Sequence, residues 1–210
     1  MTPKELAETE GKPIALAWID AAIAALREDL ERLAGGDEPD ALVASAIAIN
    51  FSFRGRGRLA RIAYAWLVLG TFMRAREVIA DSQRWFASAT LEDVRALFPP
   101  DAGVPPAYAM YRHGVFFTPA FAPWDPETRR GFGPLCRAAM IVHESVHVID
   151  PLSGRPDIHI SEWQEPAFSA QTAHQSLHNP SSYASFAAQV HERALEWPVS
   201  VRYGAGRAAD

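Results

Sequence analysis

The 210-residue sequence contains a single cysteine, Cys136. One thiol excludes an intrachain disulfide framework and fits a reducing compartment. Long apolar runs are also missing: the longest, Ile62 to Met73, falls short of the roughly 20 residues that a helix needs to span a bilayer. Met1 to Gly11 carries acidic residues and no apolar core, so no secretory signal is expected. The expectation is a chain that is cytoplasmic as synthesised, with signal-independent export the secretory route left to it. Positive charge is not in excess. Lys and Arg number 20 against 25 Asp and Glu, a formal charge of -5, which argues against a general nucleic-acid binder. The one arginine-rich stretch, "FRGRGRLAR", reads as a solvated turn balanced by acidic residues across the first half. There are no repeats and no low-complexity tracts, so neither nucleic acid nor membrane is expected as a partner.

What is present suits one sizeable core, with 49% hydrophobic and 21% charged residues. Residues 13 to 34 place Ile14, Leu16, Ile19, Ile23, Leu26 and Leu30 near helical spacing, and "GGDEPD" stops that helix. Helices are expected again over 41–50 and 59–85, with Tyr64, Trp66 and Phe72 facing a core. The four prolines of "LFPPDAGVPP" mark a boundary between an N-terminal helical region, 1–100, and a catalytic region, 101–210, within one protein. "GVFFTPAFAPW" reads as a strand, and its prolines suggest a place at a sheet edge. A long apolar helix ends at Pro151, a loop follows to Pro166, and a short helix is expected over 169–178. Asn179 and Pro180 then have the residue types of an N-cap and first turn. The fold class expected is a predominantly helical α+β protein.

The long helix carries "AAMIVHESVHVID". Four residues separate His143 from His147, so on a helix they share one face. Placing two imidazoles and a carboxylate in an apolar run is costly unless something compensates for lost water. A bound Zn²⁺ is that compensation, and His-Glu-x-x-His on a helix is the pattern that supplies it. In this reading His143 and His147 are ligands, while Glu144 takes a proton from a zinc-activated water and passes it to the leaving amine. A catalytic zinc takes a third protein ligand, and the loop offers Asp157, His159, Glu162 and Glu165. Cys136 lies seven residues before His143, about 10 Å along the axis, too far to share one ion. His174 and His178 form another pair at helical spacing, but without a carboxylate between them they read as a solvated helix end.

"HESVH", the aspartate of "RPDIHISEW" and the segment "NPSSYASF" together resemble the aspzincin metallopeptidases, the family of deuterolysin and the peptidyl-Lys metalloendopeptidases. The resemblance covers about residues 112 to 190. It implies a zincin-like fold in which His143, His147 and Asp157 bind zinc and Glu144 is the base, and it matches Asn179, Tyr183 and Phe186 to a later family segment. It also implies that the "GVFFTPAF" strand aligns the substrate. Arg155, Pro156 and Ile160 depart from the family's pattern around the aspartate, and Ile160 stands where the family has its phenolic oxyanion donor. That leaves Tyr183 or His159 as candidates for oxyanion stabilisation. Ser181 and Ala184 stand where the peptidyl-Lys members carry carboxylates, so no lysine preference is expected. The function expected is a zinc-dependent endopeptidase acting on a protein or peptide. The alternatives are a catalytically silent zincin-like binding module and a gluzincin-like peptidase with Glu162 or Glu165 as third ligand.

Overall fold

The computed structural model describes residues 1–53, 57–123, 125, 127, 131–161 and 164–195. The arginines at 54 and 56, Glu162 and the tail after Trp197 lie outside them. The chain opens with α1 (Pro3–Leu6), capped by a reciprocal Thr2–Glu5 box, and continues through a π-helical turn, Ala7–Gly11, into α2 (Lys12–Gly35). Gly36, in the left-handed region at φ 100°, ends α2. Asp40 then caps α3 (Ala41–Phe51) by accepting from the Leu42 and Val43 amides. The helix expected over 59–85 is α4 (Arg58–Ala80) followed by a break and the short α5 (Ser82–Trp85). Lys12 Nζ donates to Ala80 O at 3.1 Å and to Ser82 Oγ at 2.7 Å, holding that break against α2.

Tyr64 and Phe72 face the core as their spacing predicts, but Trp66 is 58% exposed, on the outer face of α4. Helical spacing fixes a face only once the neighbours of the helix are known.

The sheet is small and mixed. Strand β1 (Phe86–Ser88) precedes α6 (Leu91–Leu97), and β2 (Ala107–Met110) and β3 (Gly114–Phe117) form a hairpin. Their order is β1-β3-β2, with β1 parallel and β2 antiparallel to β3. The "GVFF" strand is therefore central, not at an edge as its prolines suggest. Pro119 follows the end of the ladder at Phe117, so its missing amide removes no sheet hydrogen bond. The two edges are β1 and β2.

Helix α7 (Pro134–Ile149) begins on a first-turn proline and ends before Pro151. After it come α8 (Glu165–Ser169), α9 (Ala173–His178) and α10 (Pro180–Glu192). One cluster of buried apolar side chains runs from Leu6 to Val190 and joins α2, α4, α7 and α10 to the sheet. Gly11 lets the N-terminal turn lie on α7: a Cβ there would stand 2.6 Å from Ile141 Cδ1. Beside it the buried Arg137 of α7 pairs with Glu10 and donates to the Phe132 carbonyl. The molecule is thus a predominantly helical α+β protein with α7 packed between the long helices and the sheet. Among the described residues no helix is long and apolar enough to cross a membrane.

Candidate metal centre

His143 and His147 stand one turn apart on α7 with ring centroids 5.0 Å apart. The chain leaves α7 at Asp150 and makes a tight turn: Asp150 Oδ1 accepts from the Leu152 amide at 2.9 Å, and Asp150 O accepts from Ser153 Oγ at 2.7 Å. The following loop is fastened inward by Ile158, 1% exposed. His159 comes next and turns back over α7. Its ring lies 5.0 Å from both His143 and His147, and its Nε2 is 2.9 Å from His143 Nε2.

One ring nitrogen from each of the three histidines lies within 4.8 Å of the others. Two nitrogens bound at about 2.0–2.1 Å to one tetrahedral zinc stand roughly 3.3 Å apart, inside the range these rings span. The outer ring nitrogens are also engaged. Ser153 Oγ gives its proton to Asp150 O, so at 2.8 Å it accepts from His147 Nδ1 and leaves Nε2 as the ligand atom. Ser181 Oγ lies 3.3 Å from His143 Nδ1, within hydrogen-bond distance of that ring. Loss of solvent, together with the neighbouring imidazoles, pushes His143 well below the usual histidine range; loss of solvent, then His159, pushes His147 down to about 3. Neutral imidazoles are what a metal needs, and a set of three histidines suits zinc and other late first-row ions.

Glu144 is half-buried on the same helix. Loss of solvent pushes its carboxyl up to about 8, partly opposed by a hydrogen bond from the Ala109 amide of β2. A carboxyl in that range is suited to exchanging protons near neutrality. The hairpin is docked on α7 a second time at its turn, where the Arg112 amide donates to Val148 O at 2.9 Å. Arg112 itself takes the left-handed conformation, φ 61°.

Several expected residues stand elsewhere. Asp157 lies outside the cluster: its carboxylate forms a two-pronged pair with Arg155, at 3.0 and 3.1 Å, on the exposed side of the loop. That guanidinium holds the Asp157 carboxyl below its ordinary value. The reason is local: the Ile158 and His159 amides both donate to Arg155 O, at 2.9 and 2.8 Å, closing a helical turn in which residues two apart face opposite ways. Tyr183 stands in the core, with no exposed surface. Its ring meets Phe51 and Phe72 edge-on, and its hydroxyl donates to Leu177 O at 2.7 Å. Burial pushes its phenol further above the ordinary range. Ser181 and Ala184 are buried, 1% and 3% exposed. Glu165 opens α8. His178 is not a solvated helix end: its Nδ1 meets Asp150 Oδ2 at 2.7 Å and steadies the turn that carries Ser153.

His159, one of the loop candidates in the sequence, stands in the cluster, and Asp157, which the family resemblance favours, stands outside it. The contacts of Ser153 with His147 and of Ser181 with His143 have no signal in the sequence, because nothing in a serine's sequence context announces a histidine partner across a turn or from another helix. Comparison with protein-family models, with curated proteins and with solved structures finds no match.

Proposed function

We propose that the chain is a zinc-dependent peptidase of zincin-like build, with His143, His147 and His159 as the ligands and Glu144 as the general base. The observation that carries this reading is the convergence of one ring nitrogen from each of His143, His147 and His159 within 4.8 Å, with two of the three on the helix that also carries Glu144. When bound, such an ion supplies Lewis acidity, polarising a carbonyl and making water acidic enough to attack near neutral pH. Glu144 accepts the proton from the attacking water and returns it to the leaving amine, and the Ala109 amide aims its carboxylate during both transfers. His159 takes the ligand place that the aspzincin resemblance assigns to Asp157, so the proposal keeps the zincin part of that resemblance and gives up its aspartate.

A peptide substrate is favoured by strand β2. The Thr118 amide donates to Pro106 O, and the register pairs Tyr108 with Phe116 and Met110 with Gly114. By alternation, the main chain of Ala107 and the carbonyl of Ala109 turn away from β3 toward a partner strand, while the Ala109 amide is taken by Glu144. An extended chain laid along that edge pairs its backbone there and brings a scissile carbonyl past Glu144.

The test is metal content together with turnover of an unfolded protein. The purified chain should hold about one zinc, and Glu144→Gln should keep it while hydrolysis falls by about 10²–10⁴ or more. A metal-loaded wild type that cleaves nothing, or a Glu144→Gln variant that cleaves at the wild-type rate, overturns the proposal.

A further inference from the structure

We infer that Asn179 is a positioning residue that sets two of the three histidines at once; the inference rests on the reading of the triad as a metal site. Asn179 is fully buried at the start of α10. Its Nδ2 donates to Ile160 O at 2.6 Å and to Gln171 Oε1 at 2.9 Å, and its Oδ1 accepts from the Ser181 amide at 3.1 Å.

The orientation of this carboxamide is dictated by its surroundings. Gln171 Nε2 donates to Phe168 O at 2.9 Å, so Gln171 can present only its oxygen to Asn179. Ile160 presents a carbonyl, which also only accepts. Asn179 must therefore show its two donors to the loop and its oxygen to α10. An aspartate caps a helix as well as an asparagine does. It cannot donate, so capping alone does not explain the amide.

Each arm leads to a ligand. Ile160 follows His159 directly, and Gln175 Nε2 holds Asp157 O at 2.8 Å on the other side. His159 thus sits on a short arch pinned at both ends to α9 and α10. On the other arm, Asn179 fixes the first turn of α10, where Ser181 reaches His143 Nδ1. One buried amide ties the arch that carries His159 to the serine that orients His143.

Cobalt(II) added to the metal-free protein tests this, because its visible spectrum reports both affinity and ligand geometry. Asn179→Asp keeps the helix cap and loses both donors; Asn179→Ser keeps the cap and is too short to reach Ile160. Each should weaken cobalt binding by roughly 10–100-fold, as outer-shell partners do, and change the spectrum. In a His159→Ala background the same substitutions should change affinity by less than about 3-fold, since both keep the oxygen that caps α10 and holds the Ser181 amide, and break only the arm that runs through Ile160 to His159. Wild-type affinity and spectrum in either variant overturn the inference, as does an equal loss in the His159→Ala background, which marks a purely structural role. Should Asn179→Asp fail to fold, Asn179→Ser decides alone. A wild type that takes up no cobalt removes the metal site itself, a failure distinct from that of Asn179.

Discussion

His159 reaches back across sixteen residues to set its Nε2 2.9 Å from that of His143. Asp157, two residues earlier on the same loop, turns to Arg155 instead.

That division predicts the effect of two substitutions on metal affinity. His159→Ala removes a ligand and should weaken zinc binding by more than the roughly 100-fold that marks the upper range for an outer-shell residue. Asp157→Asn should leave affinity within a few-fold of wild type. Competition titration against a chelator checks both, and the opposite order would restore Asp157 to the site.

Ser153 fixes the ring of His147 through Nδ1 while its own proton is committed to Asp150 O. Ser153→Ala leaves that imidazole without an orienting acceptor, and zinc affinity should fall by about 10–100-fold. The same titration measures it, and an unchanged affinity would show that the turn after α7 orients His147 without the hydroxyl.

Tyr183 belongs to the packing between α3, α4 and α10. Tyr183→Phe removes the donor to Leu177 O and should destabilise the fold by about 1–3 kcal/mol, read by denaturant unfolding. Turnover per metal-loaded molecule should stay at the wild-type level. A large drop in turnover with stability intact would return Tyr183 to a catalytic role.

Asp29 offers a pH test independent of the metal. It is 2% exposed and accepts from the Asp40 amide at 2.7 Å. Burial raises its carboxyl above the ordinary 3.8, opposed by that amide and reinforced by the charge of Asp40. A raised folded-state value means that the folded form holds the proton more tightly. Its contribution to stability is therefore complete below 3.8 and is lost as pH rises through the folded value. Relative to Asp29→Asn, which does not titrate, the wild type should lose stability as the solution is taken from below that range to neutrality. Melting curves of the two proteins in parallel check it, and a difference that is flat with pH refutes the raised value.

Much of this architecture was legible in the chain itself. The apolar spacing of Ile19, Ile23, Leu26 and Leu30 marks α2, Pro134 and Pro151 bracket α7, and Asn179 with Pro180 starts α10, because helix periodicity and caps are local properties. His143, Glu144 and His147 were legible for the same reason: a spacing of four residues on a helix is already a distance in space. What only the tertiary structure decided lies across loops. The meeting of His159, and not Asp157, with the two histidines of α7 depends on the turn closed on Arg155 O, the central place of "GVFF" depends on β1 arriving from the end of α5, and the burial of Tyr183 depends on Phe51 and Phe72 from two other helices. Residues far apart in sequence have no fixed separation until the core has formed, so their composition names the candidates for a site and the packing selects among them.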